Sequence, residues 1–232
     1  MKILHFATLL ALTALPAHSA IVWTGSAGND IFDEANWDLT GSTVTAIDPN
    51  VTIDDDVVFQ NATVTITDVA AQQRFQVGNG FIVTVDNSSI VAAGNDGIAG
   101  PVGSALPGGT AGPIINVVNG SSFEPFFIFQ GVNLSIDGTS TATHRGGGNP
   151  INVSVVDLAP GAVVTFPAET VAAFNAEHLG KYTVNGVSAA EGVNITIASD
   201  GNVGSVITAI PEPSSFLLVG LAGLGLMLRR RK

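Results

Sequence analysis

The chain has no cysteine, so no disulfide supports its fold even where an oxidising compartment would allow one. Basic residues are almost as scarce. Between Ala20 and Ala209 only Arg74, Arg145 and Lys181 stand against eighteen Asp and Glu, a net charge of −15 where the whole chain carries −11. Nucleic acid and anionic membrane surfaces both need clustered Lys and Arg, so they are excluded as partners of this stretch. Its acidity suits solubility and the binding of divalent cations. Aromatic residues with a polar handle are few, two Trp and one Tyr, which leaves little for a sugar-stacking platform. The cluster Phe123, Phe126, Phe127 and Phe129 is therefore assigned to core packing. Stability has to come from burial, and 190 residues suffice for one domain with a core.

The two ends are of another kind. Met1-Lys2 is a short positive region, Ile3 to Leu15 is mostly apolar, and Pro16 to Ala20 supplies small residues. This is the pattern of a secretory signal peptide over 1–19, with cleavage between Ser19 and Ala20. At the other end, residues 210–232 fall into three parts. Pro211-Glu212-Pro213 cannot continue a helix or a ladder and holds the entry extended. Ser214 to Leu228 carries no charge over fifteen residues, roughly 23 Å as a helix. Arg229, Arg230, Arg231 and Lys232 then stop translocation and keep the terminus on the cytoplasmic side, snorkelling to cover the remaining thickness. A transmembrane helix is expected here, and Gly220, Gly223 and Gly225 make no GxxxG dimer pair.

Motif, apolar helix and basic cluster in this order resemble the PEP-CTERM sorting signal of bacteria that carry an exosortase. The resemblance implies that an exosortase recognises Pro211, Glu212 and Pro213, cuts nearby and passes residues 20–209 from a membrane-anchored intermediate to the cell surface. The opening Trp23-Thr24-Gly25 with Asn36-Trp37 also resembles, more loosely, the start of passenger-like β-helix proteins with the same tail.

Residues 20–209 read as all-β. Val64 and Ile66 alternate with Thr63, Thr65 and Thr67; Val83 and Val85 with Thr84 and Asp86; Leu134 and Ile136 with Asn133, Ser135 and Asp137. Ile151, Val153 and Val155 repeat the pattern, as do Val193, Ile195 and Ile197. Such alternation marks strands with one buried and one wet face. Turns follow at Asp86-Asn87-Ser88, Asn119-Gly120-Ser121, Asp137-Gly138-Thr139 and Ala159-Pro160-Gly161. Their spacing favours a right-handed parallel β-solenoid capped at its ends, with a β-sandwich as the alternative. The glycine-rich stretch from Ala93 to Pro113 reads as an exposed loop unable to join a ladder. One helix is expected, starting at Pro167 with Glu169 in its first turn and stopping at Gly180. A last strand pair then leads into a linker over Ser199 to Ala209.

Candidate sites are sparse. Asp54 and Asp56, on one side of a strand, could hold Ca²⁺, although no EF-hand loop follows; a solvated strand edge is the plainer reading. Thr143-His144-Arg145 before three glycines suggests an anion loop, yet no second histidine lies near it in sequence. His178, on the expected helix, has no His or carboxylate at metal-ligand spacing and reads as structural. Seven Asn-x-Ser/Thr sequons follow from Asn and Thr richness. No catalytic set, confident metal or cofactor emerges. The expectation is a non-catalytic surface or exopolysaccharide-matrix protein. The alternatives are a polysaccharide lyase or hydrolase using Asp54, Asp56 or Glu124 with Arg145 or Lys181, and an adhesion module acting through the glycine-rich stretch.

Overall fold

The computed structural model describes residues 19–66, 74–92, 97–99, 112–129 and 131–211. The expected signal helix and the expected membrane helix lie outside these residues. Among the described residues no helix is long and apolar enough to cross a membrane. Strand accounts for 44% and helix for 8%, in several sheets without a closed barrel, so the all-β expectation is met.

The alternation seen in sequence becomes a repeated visit to three sheets. The first circuit is β3 (Thr52–Ile53), β4 (Asp56–Gln60) and β5 (Thr63–Ile66), entered from β1 (Ala20–Trp23) and β2 (Trp37–Asp38). The second is β6 (Arg74–Val77), β7 (Ile82–Asp86) and β8 (Ser89–Ala92). The third is β9 (Gly97–Ala99), β10 (Ile114–Val118) and β11 (Ser122–Glu124), and the fourth β12 (Phe127–Phe129), β13 (Asn133–Ile136) and β14 (Thr141–Thr143). A fifth has only β15 (Val155–Leu158) and β16 (Val163–Phe166). Each strand of a circuit pairs in parallel with its counterpart in the next.

Parallel registration stacks like on like. Ile21, Val57, Val83, Ile115, Leu134, Val156 and Tyr182 form one inward row, and Val64, Ile90, Phe123, Ala142, Val164 and Ile207 face it from the second large sheet. All are essentially removed from water. Each such aliphatic side chain contributes roughly 1.5–3 kcal/mol of transfer free energy.

The corners carry their own ladder. Ala62 N donates to Ser88 Oγ at 2.9 Å, Ser88 N to Ser121 Oγ at 3.0 Å, and Ser121 N to Ser140 Oγ at 3.1 Å. These serines are buried, so each hydroxyl satisfies an amide that the bend has removed from its strand ladder. Outside them, Asp137 accepts from Asn119 N and from the amide and hydroxyl of Thr139. Partial burial would raise its pKa, but these bonds and one from Ser140 outweigh that and hold the carboxyl at about 2.

Antiparallel pairs occur at the two ends. Trp23 and Trp37, on paired β1 and β2, pack edge to face at 5.3 Å, and Trp37 stacks on Phe75 at 5.7 Å. At the other end come α1 (Val171–Glu177), β17 (Tyr182–Val184), β18 (Val187–Ser188), β19 (Ile195–Ser199) and β20 (Ser205–Ala209).

Four expectations are corrected. Residues 205–209 are not a linker: β20 sits between β16 and β19 with Ile207 and Ala209 buried. The glycine-rich stretch does join a ladder, because Gly97 lacks the Cβ that would meet the Phe127 carbonyl oxygen at 2.0 Å. The helix is capped by the Thr170 hydroxyl, which accepts from Ala173 N, so Glu169 precedes it, and Gly180 lies in a 3-10 turn beyond it. Alternation from Ile151 does not run through to Val155. Asn152 turns at φ 45°, the count restarts, and Val156 and Leu158 face inward instead.

Candidate functional site

The acidic run at 54–56 divides differently from its sequence. Asp54 lies between β3 and β4, Asp56 begins β4, and they do not share a strand. β4 lies between β1 and β7, so Asp56 guards no sheet edge, whereas Asp54 directly follows β3, the edge strand of the four-stranded sheet. Asp56 Oδ1 accepts from Ile82 N at 2.8 Å. The buried member is Asp55, 2% exposed, which accepts from the hydroxyls of Ser19 and Ser42.

His144-Arg145 is not an exposed anion loop. His144 is fully buried against Phe166, ring centroids 5.0 Å apart, and its amide donates to Thr165 O. Burial, and then the charge of His178, pushes its pKa down to about 3. Arg145 donates through Nη2 to the Ala92 carbonyl, which ties it to the backbone of an earlier circuit.

Of the residues named for a lyase or hydrolase, Asp56, Glu124 and Lys181 are dispersed, whereas Arg145 N donates to the carbonyl of Pro125, next to Glu124. Asp56 opens β4 and Lys181 immediately precedes β17, five strand intervals away in the same sheet, about 24 Å. Glu124 lies on a different sheet, in β11, where it accepts from Ser122 Oγ.

Among the described residues, a groove and a side-chain cluster gather functional groups. A groove of about 570 Å³ opens on the sheet that holds β13, β15 and β17. Ser135, Asp157, Thr183, Ser188 and Lys181 line it beside Ile114 and Val155, with Thr183 Oγ1 donating to Asp157 Oδ1 at 2.6 Å. The second place is around the C-terminal end of α1. Glu169, from the turn before the helix, Glu177, its last residue, and His178, its C-cap, each offer a ligand atom within 4.8 Å of the others.

The second cluster corrects the reading of His178 as remote from carboxylates. Glu169 is nine residues upstream, a separation without helical meaning once the helix begins at Val171. Burial pushes the pKa of Glu169 up, a hydrogen bond with the Gly148 backbone opposes that, and the charge of Glu177 adds to it. Burial lowers His178, as does Lys181, against opposing effects of Glu177 and the Gly148 backbone. Neither ring nitrogen has a hydrogen-bond partner of ordinary geometry, and one face stacks on Phe166 at 5.3 Å.

Beyond β20, Ile210 N donates to Asn194 O and Pro211 is exposed, so the chain leaves the body at the start of the expected sorting segment. Glu212, Pro213 and the terminal cations lie outside the described residues. Residues 209–232 match the family described as the PEP-CTERM protein-sorting motif. The chain carries a PEP-CTERM sorting motif. That motif implies export, a membrane-anchored intermediate, and processing by an exosortase before surface release. The match covers the tail and not the β body. No curated protein and no solved structure matches the chain.

Proposed function

We propose that this is a non-catalytic protein of the cell surface or exopolysaccharide matrix. Its body is a right-handed parallel β-solenoid that binds hydrated polymer along its outer faces. The observation that carries the reading is the outward side of the two large sheets. Thr84, Asn116, Ser135, Asp157 and Thr183 lie side by side in register on one. Thr63, Ser89, Ser122 and Thr141 do so on the other. At about 4.8 Å per strand these rows offer closely spaced hydroxyl, amide and carboxylate groups to a polysaccharide and its water. The groove adds apolar Ile114 and Val155 beside polar groups, a surface suited to the two-sided character of a sugar ring.

The solenoid reading is supported by the fixed order in which the chain visits its sheets and by the parallel pairing of every circuit with the next. A sandwich would join neighbouring strands by hairpins. The right hand follows from the general rule for parallel crossovers. Delivery is by an N-terminal signal peptide cut between Ser19 and Ala20, and β1 starts at Ala20. The dispersal of Asp56, Glu124 and Lys181 favours binding over turnover.

The test uses the processed protein recovered from the cell surface, incubated with the producer's own exopolysaccharide with and without Ca²⁺. Retention of the protein without new reducing or unsaturated ends is the expected result. Turnover that Asp56→Ala abolishes would replace this reading with that of a lyase or hydrolase. Absence of both retention and cleavage would favour adhesion to another protein.

A further inference from the structure

We propose that Glu169, Glu177 and His178 form a binding site for a divalent transition-metal ion of the Zn²⁺ type. His178 is wholly buried, yet neither ring nitrogen has a hydrogen-bond partner of ordinary geometry, the Gly148 backbone being the one polar group of the main chain that acts on it. An imidazole in that state costs free energy unless something accepts or donates at its nitrogens. The groups that converge with it are two carboxylates, Glu169 at 5% exposure and Glu177 exposed. Two carboxylates side by side repel, and a cation between them turns that repulsion into attraction.

The donor set selects the ion. Ca²⁺ takes six to eight oxygens, and Mg²⁺ prefers oxygen ligands and its own water. One imidazole nitrogen with two carboxylate oxygens suits Zn²⁺, which binds three protein ligands and keeps a fourth position for water. Ligand atoms of a tetrahedral site at about 2.1 Å from the metal stand roughly 3.4 Å apart. The 4.8 Å limit on the present separations therefore bounds the closure needed at about 1.4 Å, which the exposed side chain of Glu177 can supply.

Lys181 is the competing charge. Its Nζ donates to Asn149 Oδ1 at 2.9 Å, and it interacts electrostatically with both Glu177 and His178. It neutralises part of the carboxylate charge that the metal would use. The site is independent of the matrix reading, since its three groups lie at the two ends of α1 and not on the polar rows.

The full chain, stripped of metal and held in detergent, is titrated with Zn²⁺ against a chromophoric chelator, with Ca²⁺ in a parallel arm. One Zn²⁺ per chain is expected, bound more tightly than Ca²⁺. Glu177→Gln is exposed and leaves the fold intact. It should weaken Zn²⁺ binding at least by the roughly tenfold that supporting partners of metal ligands are worth. Glu169→Gln should do the same, and Lys181→Met should tighten binding. Bound Co²⁺ should give the strong visible absorption of a four-coordinate nitrogen and oxygen site, lost in His178→Gln. No Zn²⁺ uptake by the wild type, tighter Ca²⁺ than Zn²⁺ binding, or unchanged binding in both glutamate variants would overturn the proposal.

Discussion

Six non-glycine residues among those described have positive φ, and every one is Asn: 50, 61, 87, 119, 152 and 185. Asn tolerates the left-handed region because its short amide bonds locally, so it is the side chain these corners need. Five of the six begin an Asn-x-Ser/Thr sequence, since a corner Asn is followed within two positions by a hydroxyl residue at the bend or the next strand. Turn geometry thus accounts for five of the seven sequons, those at Asn133 and Asn194 standing apart. His144 gives the prediction at this scale. Its pKa falls from 6.5 to about 3 on folding, through burial and then His178 beyond Phe166. Below pH 6.5 the unfolded chain takes up a proton that the folded chain refuses. Stability is full above that pH and falls as pH drops towards 3, by up to about 1.4 kcal/mol per unit. His144→Leu should remove this component and leave stability at pH 7 unchanged or higher, because both ring nitrogens lack partners. Urea denaturation from pH 7 to pH 4 measures it, and a wild-type-minus-variant difference that does not change with pH would contradict it. That the histidine was buried could not be read from Thr143-His144-Arg145, where polar neighbours and glycines suggest a surface loop.

Strands with clean Val/Ile and Thr/Ser alternation were legible because one face is wet and the other dry. Their partners were not, since pairing depends on circuits of unequal length. Ser88 and Ser121 stack across 33 residues, whereas Ser121 and Ser140 stack across 19. The longer circuit contains the glycine-rich stretch, and its extra residues obscured the repeat. β20 was missed for a related reason. Ser205 to Ala209 is short and lies just before the tail, and what makes it a strand is the ladder offered by β16 and β19. Since the chain has no native thiol, introduced cysteines report register directly. Thr84→Cys with Asn116→Cys joins adjacent strands of β7 and β10 and should oxidise readily. Thr84→Cys with Ser135→Cys spans two intervals, about 9.6 Å, and should stay reduced. Equal oxidation of both pairs on a non-reducing gel would contradict the stacking.

Taken as a whole, the molecule is a stack closed by aromatic packing at each end, with a sorting tail that leaves from the far one. Trp23 and Trp37 cover Phe59 and Phe75 at the first circuit, while Phe166, Phe174 and Tyr182 pack together at the last. The sorting motif was legible because its parts are contiguous in sequence, and the family match falls on the same stretch, residues 209–232. The groove and the cluster of Glu169, Glu177 and His178 were not, because both are assembled only when separate segments meet. The tail's processing binds these levels together, and mass spectrometry of the protein recovered from the cell surface tests it most directly. The mature species should begin at Ala20 and end near Pro211 to Pro213, and Glu212→Ala should leave uncut precursor in the membrane. A surface species that still contains Phe216 to Leu228 would contradict release by this route.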